Sequence, residues 1–201
     1  DSRDAGHGAL DWRGVSASDL LALASGGASL DRRTTVDAAW VSAAGDPALW
    51  APLPDLFELS SLDDLPLYLA TLEAGVALGV AGPLTWTPAD TRTLPSVASS
   101  ERGLLTGASV ASTGPLLQAL AYLPMQTTGG EWVRPVGLVL QGNAEMQVES
   151  VEVWVGGEIY REWTLETTEA RDWSQRITVP LSGEVVVVAR GLDWAVVPVV
   201  F

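Results

Sequence analysis

From Val133 onward the chain is cut into short segments, and this punctuation limits the folds open to it more than any other feature. Stretches at 136–140, 146–155, 159–165, 176–179, 184–189 and 195–200 read as strands. They are separated by Gly142-Asn143, Gly156-Gly157, Ser182-Gly183 and Gly191-Leu192-Asp193. Short strands recurring every ~8 to 12 residues with turn signals between them predict an antiparallel sandwich of the immunoglobulin-like kind. The sharpest hairpin is Val153–Tyr160, because Gly156-Gly157 supplies the two positive φ angles that a tight primed turn demands.

Upstream the texture is different. Ser16–Ser25, with Leu20, Leu21 and Leu23 behind serine caps and Gly26-Gly27 as a stop, predicts a short helix. Residues 31–54 read mostly as loop, with a candidate strand over 36–41. Leu56–Leu59 reads as a strand, and Ser60 or Ser61 as the cap of a helix over 65–74, with Asp63 and Asp64 favourably placed in its first turn. Leu62, Leu65, Leu69 and Leu72 build one apolar face of that helix, Gly75 ends it, and Val76–Val80 is a second apolar strand. Strand, helix and strand with short connections predict a β-α-β unit whose two strands are parallel. Ser112–Pro115 reads as a turn leading into an apolar stretch, 116–120. The expected fold class is α+β: a partial α/β segment over 1–122, followed by an antiparallel Ig-like β-sandwich over 123–201.

The composition removes much ordinary chemistry. With 47% hydrophobic residues and only 18% charged, the chain has the apolar content of a folded protein. Acidic residues number 25 against 11 basic ones, all arginine, so the net charge of -14 repels phosphate backbones and argues against nucleic-acid binding. No apolar stretch of ~18 residues predicts membrane insertion. The compartment stays open, with a secreted or periplasmic one favoured. Cysteine is absent, which removes thiolate catalysis and zinc-thiolate sites. The single histidine, His7, with Asp4 and Asp11 near it in sequence, is the weak metal candidate; a glycine-flanked histidine near the start of the sequence reads better as a solvated loop residue. It is also the one imidazole that could activate a hydroxyl, so a Ser-His-Asp hydrolase is not expected. No cofactor is expected, since the Gly-Gly pairs lack the spacing and lysine of a phosphate loop. Asp63-Asp64 reads as helix capping rather than as a catalytic pair. Glu149, Glu152, Glu158, Glu162, Glu166 and Glu169 read as the wet faces and ends of strands. Nine tryptophans are the compositional oddity; Trp154 and Trp163, in stretches mixing charged and apolar residues, are the candidate binding residues, where exposed indoles would stack on sugar rings.

The order of several segments resembles a known family. Leu56-Phe57-Glu58-Leu59, then Leu72 to Val80, Gly103-Leu104-Leu105-Thr106-Gly107, Ser112-Thr113-Gly114-Pro115-Leu116 and Val151 to Glu158 together resemble the C-terminal part of metallohydrolases of the PHP (polymerase and histidinol phosphatase-like) superfamily. The branch concerned places a metal-binding barrel before a small β-domain, and the likeness covers about residues 55 to 201. The resemblance implies a metal-ligand segment directly after the strand at 76–80; here that stretch is Ala81-Gly82-Pro83-Leu84-Thr85-Trp86, which offers none. The expectation is a noncatalytic piece of such a protein, processed or degenerate, acting in structure or partner binding. An N-terminal fragment or another subunit is its expected partner. The alternative is a secreted carbohydrate or cell-surface binding module.

Overall fold

The computed structural model describes residues 10–11, 34–44, 56–73, 79–86, 109–143, 145–166 and 172–199. Asp4, His7, Glu169, the helix expected at 16–25 and the segment 103–107 lie outside the described residues. Most of the described chain is β-structure, and two of its three sheets are antiparallel throughout.

Four short strands, β1 (Leu10–Asp11), β2 (Thr34–Asp37), β3 (Leu56–Glu58) and β4 (Gly79–Ala81), form a parallel sheet in sequential order. The parallel pairing of β3 with β4 is the one expected of the β-α-β unit, with Phe57 opposite Val80. Residues 36–41 depart from expectation. The strand ends at Asp37 and a helix, α1 (Ala38–Ala44), begins at once. Its run Ala-Ala-Trp-Val-Ser-Ala-Ala is short in β-formers and rich in alanine, the residue that loses least on entering a helix.

Between β3 and β4 a 3-10 turn, Leu62–Asp64, opens helix α2 (Leu65–Glu73). Ser61 accepts from the Asp63 N–H through its hydroxyl (3.1 Å), while the Asp64 carboxylate accepts from the N–H groups of Ser60 (3.2 Å) and Ser61 (3.3 Å). This capping box satisfies donors that would otherwise be orphaned; the capping expected of the aspartate pair falls to the Asp64 carboxylate, while Asp63 takes part through its backbone N–H alone. Pro66 falls in the first turn, where no N–H is required of it. Leu65, Tyr68, Leu69 and Leu72 are buried, and Leu62 packs against them half-buried.

The other two sheets are joined by chain crossings. One has the order β11-β10-β13-β14-β6-β5, built from β5 (Leu84–Trp86), β6 (Val110–Ser112), β10 (Val148–Val155), β11 (Glu158–Thr164), β13 (Val185–Gly191) and β14 (Ala195–Val199). The other pairs β12 (Asp172–Pro180), β9 (Trp132–Gln141) and β7 (Leu116–Ala121), with a short β8 (Met125–Gln126) on β9. Residues 84–86 and 110–121, upstream of the division expected near 122, thus supply strands to both antiparallel sheets. The β10–β11 hairpin turns through Gly156 (φ 54°) and Gly157 (φ 75°), the double positive φ read from the sequence.

The middle strands of the six-stranded sheet are buried on both faces. Val185, Val187 and Ala189 of β13 point with Val151, Val153 and Val197 into a core shared with Leu117, Val136, Leu138 and Leu140 of the three-stranded sheet. Val186 and Val188 point the other way, with Ala111, Trp194 and Val196, into a core shared with α2, Phe57 and Val80. The molecule is therefore layered, with one antiparallel sheet in the middle.

Besides this packing, a buried hydroxyl ties strand β4 to the middle sheet. Buried Ser109, just before β6, donates to the Val80 carbonyl (2.6 Å) and accepts from the Val80 N–H (3.1 Å). It occupies both backbone groups on the edge of β4 that faces away from β3, where another strand would otherwise have to pair. Ser109→Ala orphans this buried pair and is expected to cost about 2 kcal/mol. A loss below about 0.5 kcal/mol in urea unfolding would contradict this role.

Tyr68, fully buried and tilted 48° against Phe57 at 5.4 Å, has its phenol pushed well above the ordinary value of 10.0 by desolvation. The folded state holds this proton at a pH where the unfolded chain releases it. Its share of stability is therefore complete below pH ~10 and is lost as pH rises further. Tyr68→Phe is expected to flatten the fall of unfolding free energy between about pH 10 and 12; equal slopes in the two proteins would refute the assignment.

Candidate functional site

Helix α2 and the β10–β11 hairpin do not close completely on each other. Between them lies a cleft of about 460 Å3, a size within the range of ligand sites. One wall is the helix, through Leu62, Pro66, Leu69 and Ala70, with Asp63 at one end and Glu73 at the other. The opposite wall is Trp154, Gly157 and Arg190. Glycine at 157 is needed here for two reasons. Its φ of 75° is unfavourable for a side chain, and the Glu73 carboxylate occupies the place a Cβ would take.

Behind this wall stands a cluster of hydrogen-bonded polar side chains. Glu152 is buried at 4% exposure, contrary to the expectation that it lies on a wet strand face. It stands between Val151 and Val153, which point into the opposite core, so strand alternation turns its carboxylate toward the helix side with Trp154. The carboxylate is spared isolation there by three donors. Arg190 donates from Nε to Oε1 (2.6 Å) and from Nη2 to Oε2 (3.1 Å), and Trp154 donates from Nε1 to Oε2 (2.8 Å). The hydrogen bond to Glu152 is the main cause that raises the Arg190 pKa above its usual value. Burial acts in the other direction, and the charges of Glu152 and Glu162 add to the rise. Glu149, Glu158, Glu162 and Glu166 are exposed, as expected of wet strand faces and ends.

The two tryptophans singled out from the sequence do not share a platform. Trp154 packs half-buried on the α2 side of the middle sheet, its indole N–H held by Glu152. Trp163 packs half-buried on the other face, where it meets Trp173 edge-on (5.4 Å, 66°) and has the Arg161 guanidinium over its ring at 5.7 Å. Trp173 and Trp194 are buried, while Trp132 is 58% exposed. On the outer face of the three-stranded sheet, the Arg176 guanidinium covers the Tyr122 ring at 4.6 Å above Gly137. Of the metal candidates, Asp11 is placed by its backbone alone, in edge strand β1 opposite Thr35. Among the described residues there is no group of three or more His, Cys, Asp or Glu arranged to hold a metal ion. Nor is there a helix long and apolar enough to cross a membrane.

Sequence reasoning placed Glu152 on a wet face and missed Arg190 and Ser109. The signal for the first two was an acid and a base inside otherwise apolar runs, Val151 to Val155 and Val185 to Ala189 followed by Arg190, which is how a buried ion pair reads when two-sided burial is expected. Ser109 carried no signal of its own. No protein-family model matches the chain, and no curated protein or solved structure matches it.

Removing Arg190 leaves the Glu152 carboxylate buried with one donor. Because Arg190 is itself 40% exposed and Trp154 still donates, Arg190→Ala is expected to cost about 2 kcal/mol, below the usual cost of breaking a fully buried pair. The double variant Glu152→Leu/Arg190→Met is expected to recover much of that loss, and urea unfolding of both measures it. An Arg190→Ala protein as stable as the parent would show that the pair contributes nothing.

Proposed function

We propose that this chain is a noncatalytic, partner-binding module built as a C-terminal portion of a PHP-like metallohydrolase, an α/β arc fixed to an Ig-like β-sandwich. One observation carries the reading. The buried carboxylate behind the candidate cleft, Glu152, has both oxygens engaged by Arg190 and Trp154 of its own sheet, so it braces the cleft wall and is not aimed at a substrate. A general base or metal ligand must instead offer such an acceptor to the reacting group. Two further features support the reading. The parallel strands run in sequential order β1-β2-β3-β4, as the strands of a barrel do, and the remaining strands divide between two facing antiparallel sheets. The carbohydrate-binding alternative draws less support, since Trp154 and Trp163 lie on opposite faces of one sheet and each is engaged by neighbouring side chains.

Elemental analysis of the purified chain, dialysed without chelator, is the test. Zn, Mn and Fe each well below stoichiometric amounts are expected, together with no hydrolysis of phosphoester or amide substrates above the buffer rate. One tightly held metal per chain, or metal-dependent turnover, would overturn the reading.

A further inference from the structure

The cleft between α2 and the β10–β11 hairpin has a pattern of its own. Its floor is apolar, formed by Leu62, Leu69 and the half-buried Trp154, and an exposed carboxylate stands at each end, Asp63 and Glu73. Neither makes an ion pair with another described residue. The one guanidinium in the cleft, Arg190, is turned onto Glu152 through two hydrogen bonds. With Arg190 held by Glu152 behind the wall, the two lining carboxylates leave the cleft acidic. Glu73 sits in the last turn of α2, which holds no basic residue, so its charge opposes the helix dipole and gains nothing from it. Asp63 and Glu73 are separated by the length of the helix, about 15 Å at ~1.5 Å per residue. An extended peptide covers about that distance in four residues at ~3.3 Å each, once side-chain reach is added.

We propose that this cleft docks an extended segment of a protein partner carrying two arginines four residues apart with apolar residues between them. The arginines meet Asp63 and Glu73, and the apolar side chain midway between them, on the same face of the extended segment, lies over Leu69 and Trp154. Arginine fits better than lysine, because its planar fork matches a carboxylate and its weakly hydrated face stacks on an indole. The net charge of -14 aids encounter with such a partner, but charges beyond about 8 Å are screened at physiological salt, so selectivity must come from the two carboxylates at the ends. This assignment rests on the partner-binding reading above.

The test uses the whole chain, 15N-labelled, titrated with acetyl-Arg-Ala-Leu-Ala-Arg-amide and with the same peptide carrying citrulline at both ends. The readout is the indole N–H resonance of Trp154, assigned with Trp154→Phe. A saturable shift is expected, with affinity about tenfold weaker for the citrulline peptide and for the Asp63→Asn/Glu73→Gln protein. Both carboxylates are exposed, so the variant is expected to keep its fold, which near-ultraviolet circular dichroism checks. No shift, equal affinity for the two peptides, or undiminished affinity in the variant would overturn the proposal, the last by showing diffuse attraction to an acidic surface. If that happens while the chain holds no metal, the noncatalytic reading stands and only the ligand falls. A stoichiometric metal would instead remove the reading on which the ligand rests.

Discussion

Two-sided burial of the middle sheet is the constraint from which the other features follow. The apolar runs of β13 and β14 present no face to water: every residue from Val185 to Ala189 and from Ala195 to Val199 is buried. An antiparallel sheet commonly keeps one face wet, and continuous apolar runs are the mark of sheets covered on both sides. Here the second cover is α2 with β3 and β4, which brings Leu65, Leu69, Val186, Val188 and Trp194 into one cluster. At ~1.5 to 3 kcal/mol for each large apolar side chain withdrawn from water, this shared layer is a main source of cohesion between the two parts of the chain.

The buried ion pair is a by-product of that layering. Once β10 is covered on both faces, an acid at position 152 can no longer reach water, and it needs donors from its own sheet. Arg190, on the neighbouring strand β13 and in register opposite Ser150, and Trp154, two residues along β10, supply them. Such a pair adds little net stability against an apolar substitute of the same volume. It does fix the indole of Trp154 and the guanidinium of Arg190, and with them the shape of the cleft wall. The cleft is in this sense a seam whose form is set by packing behind it.

Much of this architecture was legible in the sequence. The Gly156-Gly157 hairpin, the Ser61–Asp64 cap, the Leu62/Leu65/Leu69/Leu72 face and the parallel β3–β4 pair could be read from local chemistry, since each depends on residues close in sequence or on an uninterrupted period. The run Val185-Val186-Val187-Val188 also signalled two-sided burial, but the turns on either side led to a half-wet sandwich strand. What stayed hidden was long-range. Ser109 capping Val80 joins residues 29 apart, and Glu152 with Arg190 joins residues 38 apart; nothing in a single sequence marks such partners. The short helix at Ala38–Ala44 was missed because Val36 to Val41 carries β-branched residues at both ends and its alanines lie between.

Sharing one sheet between two cores also decides what happens if the chain is divided. A fragment starting after Trp86 would keep β6 through β14 and the core around Leu117, Leu138 and Val187. It would lose α2, β3 and β4, and with them the cover over Val186, Val188, Trp194 and Val196. A flat valine and tryptophan surface of that kind seeks another hydrophobic partner, so such a fragment would associate with itself. Proteolytic nicking upstream of the sandwich would then show up first as precipitation.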